Sequence, residues 1–275
     1  MKVSYNNTDK LNANNSTEII MEIGEYGVSI AWYNPQTNSI EGVKSYQFKN
    51  NNSSEIAGHL SEIFKEKFIQ GKRTTLFIDF KEFMITPEKF YSIENNSEAL
   101  NLLFGKKDSI LKDEKIKALN NSNLEDAFNI YRVEKEIYSV INNFYPDSAI
   151  FHSSSKQIEI AENGLTLSIF NNIIKLLLKD DDGFKFIKHF NYKTPLDLVF
   201  VLLDVCKNYN VSPQNIQLNL KGMIDKESYL FKEIEKYFMN VSFELPHADV
   251  NFNFQNDEES NHYFSNLTHL IKCVS

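Results

Sequence analysis

Short runs of alternating apolar and polar positions open the chain after a polar stretch, and the same succession returns near its middle. Runs at Glu18–Ile23, Val28–Tyr33 and Ile40–Phe48 are separated by Gly24-Glu25-Tyr26-Gly27 and Asn34-Pro35-Gln36-Thr37-Asn38. Turn-forming residues between β-prone runs predict consecutive hairpins. The second succession has Leu165–Phe170, Ile173–Lys179 and Phe184–Asn191, joined by Asn171-Asn172 and Asp180-Asp181-Asp182-Gly183. After the first set, Ser53 or Ser54 can cap a helix to about Phe68, with Ile56, Leu60, Ile63, Phe64 and Phe68 on one face. Thr74–Phe80 then reads as a buried strand, Phe83–Pro87 as extended, and Pro87 with Glu88 as the opening of a short helix. Phe128–Val133 is expected to be a strand, Glu134–Phe144 a helix and Ala149–His152 a strand. Ser154–Asn163 fits a strand through Ile158 and Ile160, or a helix through its capping serines and Gly164.

The second set continues in kind. Thr194-Pro195 opens an apolar helix through about Tyr209, followed by a strand at Ile216–Leu220, a helix at Ser228–Phe238 and a strand at Val241–Glu244. Three strands, helix, strand, helix, strand is the order of a ribonuclease-H-like lobe. Two such lobes compose an actin-like ATPase arrangement, an α/β fold of mixed sheets; the alternative is two unrelated α/β domains. The expected division is a flexible leader over 1–17, a first lobe over 18–148 and a second lobe with a C-terminal tail over 149–275. The leader is Asn-rich and poor in apolar residues. A charged, Asn-rich segment near 105–123 is expected to be a flexible insertion. In the tail, Tyr263, Phe264, Leu267, Leu270 and Ile271 form an apolar stripe suited to packing on its own domain or to docking a partner.

Composition narrows the function classes. The 275 residues are 42% hydrophobic, with 22 Phe and 13 Tyr, enough for a substantial core. A formal charge of −8 gives no general attraction to nucleic acid or anionic lipid, so neither is an expected partner. No apolar run reaches the roughly 20 residues that span a bilayer, and Met1–Ser16 lacks the apolar core of a secretion signal; the expected location is the cytoplasm. Cys206 and Cys273 are expected to be free thiols. The histidines show neither HExxH nor Cys/His clustering, so no metal is expected, and no residue set specifies a reaction, so no catalytic residue is assigned. A nuclease would need gathered carboxylates; Glu22, Glu66 and Asp79 are the available set, with solvated or capping roles as the simpler reading.

Three segments, Phe83–Phe90, Phe190–Asp197 and Leu218–Ile224, carry a resemblance to an uncharacterised Bacteroidetes family with an actin-like ATPase fold. That family is more distantly related to the pilus-assembly and cell-division branches of actin-like proteins, and the resemblance covers roughly 18–244. It implies a nucleotide cleft between the lobes, where the first turn of each lobe wraps phosphate. Such turns use Gly for close backbone approach and a nearby Asp to organise Mg²⁺. The first lobe offers Glu22, Gly24 and Gly27, with Glu in place of Asp; the second offers Ser168–Asn172 with neither acid nor Gly at the turn. Gly222 stands alone where nucleotide-binding relatives often have paired glycines. Glu22, Gly24, Gly27 and Gly222 are therefore candidates for a vestigial cleft, and no cofactor is expected. The expected function is a non-catalytic scaffold or adaptor that binds another protein, with a divergent ATP-dependent enzyme or nucleotide switch as the alternative. Occlusion of the cleft near Phe170 is the structural expectation.

Overall fold

The computed structural model describes residues 1–8, 11, 17–49, 52–66, 69, 72–116, 126–253 and 262–272. The first hairpin set is β2 (Glu18–Gly24), β3 (Gly27–Asn34) and β4 (Ser39–Gln47), followed by α1 (Ser53–Ile63) and β5 (Thr74–Asp79). The predicted extension of α1 to Phe68 falls partly outside the described residues. α1 begins where the Asn52 side chain accepts the Glu55 N–H. β9 (Ala149–His152) lies beside β5, and with β1 (Lys2–Asn7) a seven-stranded sheet results in the order β1-β4-β3-β2-β5-β9, with β15 (Asn251–Phe252) also on β4.

Two expectations about mobile segments are corrected. Lys2–Asn7, part of the expected leader, forms β1, which pairs antiparallel with β4 from Lys2↔Gln47 to Asn7↔Val43. Backbone pairing to an exposed sheet edge needs little apolar content, so composition alone did not reveal it. Within the expected insertion, Ser109–Ile116 forms β7, paired along its whole length with β8 (Ala127–Glu134); residues 117–123 lie outside the described residues. β6 (Phe83–Pro87), β8 and β7 make a separate three-stranded sheet. A short 3-10 turn at Glu88–Phe90 and α2 (Ile93–Phe104) connect β6 to β7, and sequence reading did not anticipate α2.

The second sheet has the order β12-β11-β10-β13-β14. Its strands are β10 (Gly164–Phe170), β11 (Ile173–Asp180), β12 (Gly183–Asn191), β13 (Gln217–Gly222) and β14 (Asn240–Phe243). α5 (Pro195–Asn208) and α6 (Tyr229–Ile234) cover one face, where Leu165, Leu167, Ile169, Ile174, Leu176 and Leu218 are buried with Leu198 and Leu202. α5 starts at Thr194 with a capping box to Asp197 and Pro195 in the first turn. It ends where Asn210, at φ 55°, lets Val211 N–H return to the Cys206 carbonyl at 2.9 Å.

Period-2 alternation sorts the first sheet onto two faces. Ile19, Met21 and Ile23 pack with α1 and with α3 (Lys135–Phe144). Ile20, Ala31, Tyr33, Ile40, Val43 and Phe77 pack instead against Leu267, Leu270 and Ile271 of α7 (Ser265–Lys272). The ambiguous segment 154–163 resolves as α4 (Ser153–Ile160), which packs against α7. The expected boundary at 149 is shifted by this arrangement: β9 belongs to the first sheet, and α7 returns the end of the described chain to it. α4 and α7 thus cross between the sheets. Both touch the side of the molecule where the two sheets meet.

Candidate functional site

The same alternation that puts Ile20 under α7 puts Glu22 there too, and the alternation that buries Phe77 on that face carries Asp79 with it. β2 and β5 run parallel, with Glu22 opposite Phe77 and Gly24 opposite Asp79, so two carboxylates share one face of adjacent strands. Across the interface, Ile174, Leu176 and Leu178 of β11 point into the second core, whereas Leu177 joins the first-lobe core. Lys175 shares the Leu177 face. Its ammonium donates to Asp79 Oδ1 at 2.6 Å, and the two side chains are 1% and 0% exposed.

Around this pair the partners are specific. Tyr26, at the tip of the β2–β3 hairpin, donates its hydroxyl to Asp79 Oδ2 at 2.9 Å. Its ring stacks on Phe170, at the end of β10, with centroids 3.9 Å apart and planes 10° from parallel. The first turns of the two lobes are therefore joined through ring contact, and a buried ion pair from β11 to the end of β5 joins the lobes beside it. Glu22 accepts from Ser153 Oγ and from Asn266 Nδ2, each at 2.6 Å, so α4 and α7 both supply donors to it. Burial, then the Asp79 charge, pushes the Glu22 carboxyl up; Lys175 opposes both. Burial alone would push Asp79 up as well, but Lys175 and then His189 hold it well below the usual carboxylate range.

His152 caps α4. Its Nδ1 accepts the Ser154 N–H at 3.2 Å, so the neutral ring carries its proton on Nε2, 3.1 Å from the Phe80 carbonyl it donates to. Burial lowers its pKa from 6.5 to about 3. The folded value lies below the unfolded one, so the stability His152 contributes is present above about pH 6.5 and is lost as pH falls towards 3. His152→Asn, which keeps a capping acceptor without a titrating ring, is expected to lose stability at pH 7 and to show a shallower decline between pH 7 and 5. Urea unfolding at both pH values measures this, and equal slopes would count against the assignment. The small sheet supports the same residue: Glu114 on β7 accepts the His152 N–H at 2.8 Å and the Ser155 hydroxyl.

The four sequence candidates divide. Glu22 and Gly222 line one cleft cavity of about 300 Å³, together with Tyr26, Phe170, Lys221 and Asn266. Gly24 and Gly27 close the β2–β3 turn instead, as the pair Gly24↔Gly27. A Cβ on Gly27 would lie 1.9 Å from the Tyr46 carbonyl oxygen, and one on Gly222, at φ 82°, would lie 2.4 Å from that of Ile169. Close backbone packing accounts for both glycines. Of the carboxylates considered for a nuclease, Glu22 and Asp79 converge, while Glu66 pairs with Lys44 at 2.7 Å. Among the described residues no three His, Cys, Asp or Glu side chains are grouped to hold a metal.

Lys175 escaped sequence reading. The available signal was a lone lysine inside Ile173–Leu178, because a fully buried lysine is rare unless paired. Its partner comes from a strand 96 positions earlier, which no local pattern specifies.

Comparison with known proteins places the architecture. A Bacteroides thetaiotaomicron protein with actin-like ATPase fold and unknown function superposes with a TM-score of 0.74 at 18% identity, covering 94% of this chain and 96% of that one. The structure of a PilM–PilN type IV pilus biogenesis complex matches with a TM-score of 0.61 at 11% identity, covering 94% of this chain and 98% of that one. The fold is thus the actin-like ATPase fold. No curated protein matches the chain. Among the described residues no helix is long and apolar enough to cross a membrane. The family model for proteins of unknown function termed DUF3822 matches residues 6–241, and the chain belongs to that family.

Proposed function

We propose that this protein is a non-catalytic scaffold or adaptor of actin-like fold, acting in the cytoplasm by binding another protein. The observation that carries this reading is the closure between the first turns of the lobes: Lys175 paired with Asp79 at 2.6 Å, beside Tyr26 stacked on Phe170. Catalysis on a nucleotide phosphate requires a cation and backbone N–H groups free to meet it. Here an ammonium stands beside the two acids, and Phe170 contacts Tyr26 where an open phosphate turn would be needed. The polar lining around the pair is instead arranged to hold the lobes together. The PilM neighbour was determined in a complex with another protein, which is consistent with a binding role for this fold. Cys206 is a buried free thiol, as suits a reducing compartment.

Calorimetric titration with ATP and ADP, with and without Mg²⁺, is the test. No saturable heat and no nucleotide-dependent thermal shift are expected. Saturable, Mg²⁺-dependent binding abolished by Glu22→Ala would overturn the scaffold reading and favour a nucleotide switch.

A further inference from the structure

A cavity of about 300 Å³ lies beside the closure, and its walls have a definite chemistry. Glu22 is 2% exposed, yet the Ser153 and Asn266 hydrogen bonds both arrive at Oε1. Among the described residues Oε2 accepts no bond. That oxygen is not fully enclosed by protein, so it is open to the cavity that Glu22 lines, and a donor placed there gains a charge-assisted hydrogen bond. The rings of Tyr5, Tyr26, Tyr46, Phe170, Tyr263 and Phe264 border the same space. Aromatic faces carry negative potential and favour cations.

The charged groups on the walls point the same way. Lys221 is engaged by Glu244 at 3.2 Å, and Lys175, which is not on this wall, by Asp79 at 2.6 Å. Asp225, also on the wall, accepts the Tyr263 hydroxyl. Among the described residues no lining lysine or arginine lacks a carboxylate partner, whereas Glu22 and Asp225 both bring carboxyl groups to the wall. A volume of this size suits a compact ligand of one ring and a short chain.

We propose that the cleft cavity binds a small primary ammonium compound with a flat apolar body, its ammonium donating to Glu22 Oε2 and its body lying against the aromatic wall. This inference rests on the reading that the cleft no longer serves nucleotide. It adds a ligand class to it: the scaffold's lobe interface would be occupied by an organic cation that bridges Glu22 of the first lobe and Phe170 of the second.

The test titrates the full chain with 2-phenylethylamine, with 3-phenylpropionate as a probe of matching shape and opposite charge, and with Mg²⁺-ATP. Saturable binding of the amine, none of the carboxylate, and affinity for the amine weakened at least tenfold in Glu22→Gln are expected. Gln retains the Oε1 acceptor for Ser153 and Asn266, and its own thermal midpoint reports whether it folds. Should Glu22→Gln fail to fold, Tyr5→Leu takes its place, with the same tenfold loss expected from removal of an aromatic ring from the wall. Absence of amine binding, equal binding of the two phenyl probes, or unchanged amine affinity in the folded variant would each overturn the proposal. ATP binding would strike at the scaffold reading itself, whereas a silent amine with silent ATP would remove only the ligand proposed here.

Discussion

Replacing Lys175 by Met is expected to destabilise the protein by about 3–5 kcal/mol, the range for breaking a buried pair from one side. Asp79 would remain at 0% side-chain exposure with its strongest counter-charge gone, beside Glu22, whose carboxyl its charge already pushes up. The Tyr26 hydroxyl at 2.9 Å offsets part of this cost but brings no charge. Asp79→Asn leaves the converse problem, a lysine at 1% exposure with no carboxylate partner at Nζ. The double variant Lys175→Met/Asp79→Asn removes both charges and retains an acceptor for Tyr26. It should recover most of the loss, to within about 1–2 kcal/mol of the parent, because a well-packed apolar replacement avoids the desolvation that an ion pair incurs. Chemical denaturation of the four proteins forms the cycle. A single variant as stable as the parent would show that the pair is not the buried contact described above.

Removal of α7 should have a still larger effect. Leu267, Leu270 and Ile271 are 2%, 0% and 0% exposed against the first sheet, and Asn266 bonds Glu22 from the same helix. Leu270→Ala alone is expected to cost about 2–5 kcal/mol, as for other buried leucines. Ending the chain before Ser265 removes all three apolar side chains and uncovers Ile20, Ala31, Tyr33, Ile40, Val43 and Phe77. At about 2–5 kcal/mol for each of the three, the loss is comparable with the roughly 5–15 kcal/mol of net stability typical of a folded protein. The shortened chain should therefore aggregate or bind a hydrophobic dye strongly, where the Leu270→Ala protein remains folded with a lower urea midpoint. A soluble shortened chain with the parent's midpoint would mean that α7 does not hold the first lobe closed.

The hairpin sets were legible because strand alternation and turn residues are local: Leu165–Phe170, Ile173–Lys179 and Phe184–Asn191 match β10, β11 and β12 to within a residue or two. α5 was legible for the same reason, since Thr194, Pro195 and Asp197 cap it within its own first turn. β1 and β7 were not. Both owe their form to a partner strand, β4 far along the chain for β1 and the next strand, β8, for β7, and their own composition reads as loop. The site divides in the same way. Glu22 and Gly222 could be singled out by analogy with a phosphate cleft, but Lys175, Ser153, Asn266 and the stacking of Tyr26 on Phe170 could not.

What the sequence determined by itself is the duplicated order of strands and helices, the faces that each strand buries, and the lack of acid and glycine at the second lobe's first turn. Each depends on neighbours a few positions apart, where periodicity and turn chemistry act. The tertiary structure alone decided that α7 packs on the first sheet, that Lys175 meets Asp79, and that Glu22 is left with one oxygen facing a small aromatic cavity. Those outcomes arise from packing the two lobes together through α4 and α7, which brings together residues as far apart as Glu22 and Asn266, 244 positions along the chain. In that buried setting desolvation and pairing, rather than residue type, fix what each charged group can do.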